Sequence, residues 1–279
     1  MHLLTGSLLR AAAAAASLCL MPLSAQAAPT SASEIDVAGR TVTLSIWAPA
    51  EPQGVVIFSH GGGGSPGAYE ALIEGWKSAG FMVVAPLHTD SRQHPGSDKS
   101  LQAAFATRIA DVAAAQGWAA KAAPGLPHGY AGHSYGALMA MIRGGAMDAM
   151  VRARDPQARA VLAFSSPGTI PGLIGPDSFR SLAAPMLLVT GDKDLVPGFV
   201  NDPAQHLAAY DGSPAGDKYA WIGKGVDHGF AGKDAQDPAF AEAAALSTAF
   251  LKAYVLGDAE AQAVLKSARS SERAEVRTR

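Results

Sequence analysis

Short, continuous apolar runs recur along the chain, and each ends at a glycine, a proline or a polar cluster. Runs of this length are typical of strands that are buried on both faces of a sheet. Longer stretches with apolar residues on a helical period alternate with them. The predicted strands are residues 41–47, 55–59, 81–85, 130–133, 160–164, 186–190 and 219–222. The predicted helices are residues 68–80, 97–121, 135–143, 203–210 and 238–254.

This alternation predicts an α/β fold with a mostly parallel twisted sheet and helices on both faces. No internal repeat and no linker divides residues 28–266, which we interpret as one domain without a large cap. The second helix has a possible N-cap at either Ser97 or Ser100. Residues 267–279 are polar and charged, and we expect a frayed helix end or a loose tail.

The N-terminal segment has the features of a secretory signal peptide over residues 1–27. Arg10 supplies positive charge, residues 11–23 are apolar but short for a membrane span, and Ala25-Gln26-Ala27 matches a cleavage site. We therefore expect an exported protein, periplasmic or secreted, without a stable membrane anchor. An ordinary N-terminal helix or an uncleaved anchor is the alternative. The single cysteine, Cys19, lies in this segment, so cleavage would leave a chain that forms no disulfide.

Composition excludes several classes of protein. Hydrophobic residues make up 48% of the chain and charged residues 16%, which does not fit a disordered chain. The net charge is −2 and no block of Lys and Arg is present, so no nucleic-acid partner is expected. The scattered histidines show no metal-ligand spacing, and no cofactor or metal is predicted.

The pentapeptide Gly132-His133-Ser134-Tyr135-Gly136 follows a predicted strand and opens a helix. A serine on such a sharp turn is exposed as a nucleophile, and the flanking glycines avoid a collision across the turn. Residues 63–67, Gly-Gly-Ser-Pro-Gly, match the same pattern. The residue after the nucleophile must donate its N–H to an oxyanion, which Pro66 lacks and Tyr135 has. Ser134 is therefore the candidate nucleophile.

A glycine run, residues 61–64, follows the strand at 55–59. Gly62, Gly64 and Gly67 also fit the spacing of a dinucleotide-binding loop. That loop requires an acidic residue at the end of the next strand, but Asp90 lies in the loop beyond it. We favour an oxyanion-binding loop and keep the nucleotide loop as the alternative.

A general base and an acid should follow the serine along the chain. His228, in a loop after the last predicted strand, is the favoured base, whereas His206 is interpreted as a surface residue of a helix. The acid should come just after residues 186–190, where Asp194 is preferred and Asp192 is the alternative. We expect Asp192 to bond the turn backbone or face water, and Asp227 to be too close to His228 in sequence to orient it.

The other histidines receive structural interpretations. His60 is expected to order the glycine loop by hydrogen bonding, and His133 to pack under the serine turn. His88 and His94 follow the strand at 81–85, where solvent exposure is the favoured interpretation and a place in the lining of the site is the alternative.

Five segments together resemble the α/β-hydrolase superfamily over nearly all of residues 28–279. They are VVIFSHGGGGS, GFMVVAPLHTD, YAGHSYGALMA, PMLLVTGDKDLVP and GVDHGF. The glycine loop and the GHSYG turn are most similar to the branch of dienelactone hydrolases and platelet-activating-factor acetylhydrolases, and the layout is similar to bacterial polyester-degrading esterases. The resemblance implies an oxyanion hole formed by the N–H groups of Gly62 and Tyr135. The serine nucleophile differs from the cysteine of true dienelactone hydrolases.

The residues and the resemblance together predict a serine hydrolase that cleaves carboxylic esters, small or lipid-like, through Ser134, His228 and Asp194. Acyl transfer, amide cleavage and polyester hydrolysis are alternatives on the same three residues, as is a non-catalytic binding protein. Residues 87–97, 166–183 and 223–227 are expected to shape an open site. Within them, Leu173, Ile174 and Phe179 form either an acyl-binding wall or part of the core. The sequence does not indicate an oligomeric state.

Overall fold

One nine-stranded sheet organises the chain in a computed structural model that describes residues 29–279. The predicted signal peptide lies outside the described residues. The strand order across the sheet is β1-β2-β4-β3-β5-β6-β7-β8-β9. The strands are β1 Ser31–Val37, β2 Arg40–Trp47, β3 Gly54–Ser59, β4 Phe81–Pro86, β5 His128–His133, β6 Val161–Phe164, β7 Met186–Lys193, β8 Lys218–Asp227 and β9 Ala274–Thr278.

The six strands from β3 to β8 pair in parallel, and the edge strands β1, β2 and β9 are antiparallel. All seven predicted strands are present, and the prediction of a mostly parallel sheet is confirmed. Parallel strands place their carboxyl ends at one edge of the sheet, where α/β proteins bind ligands. The ends of β3, β5, β7 and β8 therefore carry the candidate site.

Helices cover both faces of the sheet. They are α1 Glu70–Ser78, α2 Leu101–Ala122, α3 Tyr135–Gly144, α4 Asp148–Val151, α5 Ala208–Gly212, α6 Pro238–Leu251 and α7 Ala259–Ser267. Alternate residues of β3 point to opposite cores: Val55 and Ile57 pack with α2 and α3, and Val56 and Phe58 pack with α1 and α6. The Ser100 side chain accepts a hydrogen bond from the N–H of Ala103, so Ser100 rather than Ser97 caps α2.

The C-terminal segment corrects one expectation. A frayed helix end or a loose tail is predicted for residues 267–279, but β9 lies within them and pairs with β8, with Trp221 opposite Val276. The sheet therefore extends beyond residue 266. The sequence pattern misses strands β1 and β9 because edge strands carry many polar residues and do not form apolar runs.

One helical stretch among residues 29–279, Pro238–Leu256, is long and apolar enough by composition to cross a membrane. Phe240, Phe250 and Leu251 of this stretch are buried against the sheet and α1. The stretch is thus a core helix of the α/β layer, which explains its composition.

The connection between β6 and β7 contains only a short 3-10 turn, Pro176–Phe179, and no cap domain. Phe179 and Ile174 are buried in the core beside α3, and Leu173 packs against the same cluster. Of the two interpretations of these residues, core packing is the one that the structure supports.

Candidate active site

Ser134 lies on a strained turn between β5 and α3. Its backbone angles are φ 53° and ψ −118°, outside the regions that a serine normally adopts. A Cβ at Gly132 would lie 2.2 Å from the carbonyl oxygen of Gly136, and one at Gly136 would lie 1.8 Å from that of Ser59. Side chains cannot occupy either position, as the sequence predicted. This packing holds the turn and presents the hydroxyl of Ser134 at the carboxyl edge of the sheet.

The structure brings Ser134, His228 and Asp194 together from β5, β8 and β7. Ser134 Oγ lies 3.0 Å from His228 Nε2, and His228 Nδ1 lies 2.7 Å from Asp194 Oδ1. Asp194 is fully buried, whereas a quarter of the His228 side chain, 25%, is exposed. A serine, an imidazole and a buried carboxylate linked in this order are suited to proton transfer from the hydroxyl.

The alternative acids occupy other roles. Asp192 accepts a hydrogen bond from the N–H of Gly225 at 2.7 Å, and Asp227 accepts one from Gly229 at 3.0 Å. Both bonds hold backbone turns, which is the role expected for Asp192. The carboxylate that contacts His228 belongs to Asp194.

Asp194 receives hydrogen bonds on both carboxylate oxygens. Oδ2 accepts from the Thr190 hydroxyl at 2.8 Å, and Oδ1 faces His228 and His206. Burial alone would raise the pKa of Asp194, but the hydrogen bonds from His206 and His228 outweigh burial and hold it far below its usual range. The carboxylate is therefore ionised wherever the protein is folded near neutral pH.

In the glycine loop after β3, hydrogen bonds hold the residues on either side of Gly62. Gly61 donates its N–H to the Tyr69 hydroxyl at 3.0 Å, and Gly63 donates to Asp90 Oδ2 at 2.9 Å. Within residues 29–279, no hydrogen-bond acceptor is assigned to the N–H of Gly62 or to that of Tyr135. These two donors are the ones that the resemblance implied for an oxyanion hole, and both are available for a ligand oxygen.

A buried ion pair between Arg108 and Asp90 holds the glycine loop in place. Arg108 on α2 donates to both Asp90 oxygens at 2.8 Å, to the carbonyl of His60 at 2.7 Å and to that of Gly61 at 3.1 Å. Burial alone would raise the pKa of Asp90, but hydrogen bonds from Arg108 lower it to about 2. Arg108 also lies 4.6 Å above the ring of Tyr135. One guanidinium thus connects the glycine loop to the serine turn.

Sequence reasoning missed Arg108, although a signal was present. Two charged residues, Arg108 and Asp111, stand among the buried alanines and Val112 of α2. A charged residue at such a position must be paired to be buried. Asp111 pairs with Arg40 and His88, so the partner of Arg108 comes from another element, Asp90 in the loop after β4.

Replacing Arg108 by Met leaves the Asp90 carboxylate buried without its partner. We expect the free energy of unfolding to fall by about 3–5 kcal/mol. We also expect kcat for the predicted hydrolysis of esters to fall about 100-fold, because the Gly62 N–H is no longer held. Denaturant unfolding and steady-state kinetics measure the two effects. Arg143→Met is the matched control, since Arg143 also lies over a tyrosine ring, at 5.3 Å from that of Tyr130, and pairs with Asp155. An equal loss of kcat in both variants would contradict a specific role for Arg108.

Three histidines next to the site are buried, and each has one nitrogen that accepts and one that donates. His60 Nε2 accepts from the N–H of His88, His88 Nε2 lies 2.8 Å from the Ser59 hydroxyl, and His133 Nδ1 lies 2.9 Å from the Tyr69 hydroxyl. The second nitrogens face the oxygens of Gly61, Asp111 and His228. Neutral imidazoles satisfy all of these contacts.

Burial is the main reason that the pKa values of these three rings are lowered, and that of His133 is lowered to about 4. His60 orders the glycine loop and His133 packs under the serine turn, as expected. The expected exposure of His88 is wrong: its ring is fully buried because Asp111 and Ser59 supply partners from α2 and β3. His94 is partly exposed.

The interpretation of His206 as a surface residue is also wrong. His206 lies on a 3-10 turn, Pro203–Leu207, and its ring is fully buried beside Asp194. The sequence predicts a helix over residues 203–210 with His206 on its surface, but the segment packs against the end of β7. No local pattern indicates this contact, since it joins residues 12 positions apart.

The donor atoms of Asp194, His206 and His228 lie within 4.8 Å of one another, a set that could hold a metal ion. Both rings, however, contact the same carboxylate oxygen, at 2.7 Å and 2.9 Å. These are hydrogen-bond distances with a proton between the atoms. We therefore assign the cluster to hydrogen bonding around Asp194.

Solved structures share this architecture. An esterase from an Arctic intertidal metagenomic library covers 80% of this chain and 92% of its own, with a TM-score of 0.59 and 18% identity. An α/β serine hydrolase homologue from Coxiella burnetii covers 78% of this chain and 96% of its own, with a TM-score of 0.58 and 17% identity. The chain has the α/β-hydrolase fold.

Sequence comparisons agree with a hydrolase. The family model of serine aminopeptidase, S33, matches residues 50–173, a segment that includes Gly62 and Ser134. A monoacylglycerol lipase of Mycolicibacterium smegmatis is 26% identical over 204 residues, which are 68% of this chain and 69% of the lipase.

Two Mycobacterium tuberculosis proteins whose names call them phosphoribosyl transferases are 35% identical over 162 residues, or 56% of this chain. The match spans only 33% of their length, so their names describe proteins that are much longer than the shared segment. The resemblance to the dienelactone hydrolase branch stays a prediction.

Proposed function

We propose that the chain is a serine hydrolase that cleaves carboxylic esters through an acyl-enzyme on Ser134. The observation that carries the proposal is the linked set of Ser134, His228 and Asp194 on a strained turn, opposite two available N–H groups. The lipase and esterase relatives support an ester rather than another acyl compound. The predicted signal peptide adds an exported location to the proposal.

The geometry supplies each proton-transfer step. Ser134 Oγ attacks the ester carbonyl carbon while His228 Nε2 accepts its proton, and the imidazolium is stabilised by Asp194. His228 then gives the proton to the leaving alcohol, which departs as the acyl–Ser134 ester forms. Water attacks this ester with His228 again as the base, which releases the acid and restores the serine.

The oxyanion formed in each attack would lie between the N–H groups of Gly62 and Tyr135. Each donor of this kind typically stabilises the transition state by about 3–4 kcal/mol. Since Arg108 and Asp90 hold the glycine loop in place, the donors need no reorganisation when charge develops. In many hydrolytic enzymes, donors that are held in place in advance make the largest single contribution to transition-state stabilisation.

An apolar rim favours an acyl chain as the substrate group next to the oxyanion hole. Five large hydrophobic side chains are exposed among residues 29–279, and three of them belong to site elements. Leu101 is 39% exposed and approaches Gly62 closely, since a Cβ there would lie 3.0 Å from Leu101 Cδ2. Leu195 and Phe199 lie on the segment that follows Asp194. Short- to medium-chain esters are therefore the proposed substrates.

Shortening Leu101 should alter chain-length preference. We expect Leu101→Ala to lower kcat/KM for p-nitrophenyl octanoate about tenfold and that for the acetate less than about twofold, because only the longer acyl chain contacts this side chain. Met150→Ala is the control, as Met150 is exposed beyond the far end of α3. Equal losses for both esters would rule out contact between Leu101 and the acyl chain.

The acyl-enzyme is tested by measuring how it divides between methanol and water as acyl acceptors. With a fixed concentration of methanol, p-nitrophenyl butyrate and phenyl butyrate should give the same ratio of methyl butyrate to butyric acid, since both form one acyl–Ser134 intermediate. A ratio that depends on the leaving group, or no turnover of any ester, would overturn the proposal. Faster cleavage of butyryl anilides than of esters would favour an amidase.

A further inference from the structure

The ring of His206 is surrounded by atoms that only accept hydrogen bonds. Nδ1 contacts the carbonyl oxygen of Ser166, while Nε2 lies 2.9 Å from Asp194 Oδ1 and 3.0 Å from the Asp194 carbonyl oxygen. The Ser166 hydroxyl cannot donate to the ring, because it donates to the His206 carbonyl at 3.2 Å. The ring is fully buried, so water does not supply a missing donor.

This environment determines the protonation of the ring. A neutral imidazole has one N–H and one lone pair, and here the lone pair would face oxygen lone pairs in a buried site. An imidazolium has two N–H groups and satisfies both contacts. His60, His88 and His133 differ in this respect, since each has a donor next to one nitrogen.

We propose that His206 is a buried imidazolium that shares the Asp194 carboxylate with His228, so that the site is a tetrad of Ser134, His228, Asp194 and His206. Asp194 Oδ1 accepts from both rings, which lie nearly parallel, 21° apart, with centroids separated by 6.0 Å. His206 acts through Asp194 rather than on the substrate, and it is therefore a positioning residue.

The interactions of His206 with Asp194 favour its protonated form. Burial alone would lower the pKa of His206, but hydrogen bonds and the charge of Asp194 outweigh burial and raise it. The titratable groups that face the ring are Asp194, His228 and, farther away, the neutral His133. Asp194 is thus the one negative group in this set.

The charge of His206 has a consequence for His228, which rests on the proposed function. A second cation on the same carboxylate offsets part of the negative charge that Asp194 presents to the His228 ring. Removing the charge of His206 should therefore change the pH profile of catalysis and not only its rate.

Replacing His206 by Gln tests this effect, since glutamine keeps a donor for Asp194 without the charge. We expect the acidic limb of kcat/KM against pH to move upward by about one unit. A merely structural role would lower activity at all pH values without moving the limb. His128→Gln is the matched control, because His128 is also paired with an aspartate, at 2.7 Å from Asp155, at the opposite end of β5. A limb that does not move in folded His206→Gln would overturn the proposal.

The charge state is measured directly by nitrogen NMR on the full-length chain with ¹⁵N-labelled histidine. At pH 7, the His206 ring should show two N–H protons, identified by their correlation with the two nitrogens of one ring and by through-space contacts with Ser166 and His228. One N–H proton on this ring would overturn the proposal whether or not the glutamine variant folds. This measurement does not require turnover, so a chain without esterase activity but with a doubly protonated His206 would contradict only the proposed function.

Discussion

Ser134→Ala is expected to lower kcat for p-nitrophenyl butyrate by about 10⁶-fold, the cost of removing the nucleophile from a serine hydrolase. The alanine leaves the turn unchanged, since its Cβ occupies the place of the serine Cβ and no cap bond from the hydroxyl is lost. His228 then has no proton to accept, and the residual rate comes from binding and the oxyanion donors alone. Steady-state hydrolysis, with circular dichroism to confirm folding, measures the effect.

Two further serine variants separate lost chemistry from lost structure. Ser65, in the second pentapeptide match, precedes Pro66 and makes no side-chain cap bond, so Ser65→Ala should change kcat by less than about twofold. Ser134→Gly should be as inactive as the alanine variant but more stable by about 1 kcal/mol, because glycine adopts a φ of 53° without strain. Activity in Ser134→Ala close to wild type would contradict the mechanism.

Asp194→Asn is expected to lower kcat by about 10⁴-fold and to destabilise the fold. An asparagine amide does not hold the His228 tautomer that accepts the serine proton. It also leaves the charge of His206 buried without a carboxylate, which costs about 3–5 kcal/mol of unfolding free energy. Kinetics above pH 7 and denaturant unfolding measure the two losses.

Asp192→Asn is the control for this prediction. Asp192 bonds the backbone N–H of Gly225 and does not contact His228, so its variant should lose less than about threefold in kcat. A larger loss in Asp192→Asn than in Asp194→Asn would show that Asp192, not Asp194, is the acid of the site. In the double variant Asp194→Asn with His206→Gln, we expect part of the stability to return, since no buried charge is left unpaired.

The centre of the fold could be predicted from the sequence because burial on both faces demands continuous apolar strands. Segments such as 55–59 and 186–190 meet that demand, and the structure contains strands at both positions. The edge strands β1 and β9 could not be found in this way. Their pairing with β2 and β8 depends on backbone hydrogen bonds between the paired segments, which polar side chains tolerate.

The candidate site was predictable where local geometry restricts residue type. A turn that excludes a Cβ at two positions requires glycines around Ser134, and this pattern is visible in the sequence. Arg108 and His206 lie outside such patterns. Arg108 pairs with Asp90, which follows β4, and His206 pairs with Asp194, which follows β7. In each case the partner carboxylate comes from another element of the fold. Contacts of this kind arise only when the sheet brings its strand ends together.

Identification of the reactive serine tests the central claim most directly. The full-length chain is treated with a fluorophosphonate probe and digested, and the modified peptide is located by mass spectrometry. We expect one adduct, on Ser134, that is absent from Ser134→Ala and retained in Ser65→Ala. An adduct on Ser65, or continued ester hydrolysis by a chain that never reacts with the probe, would contradict it.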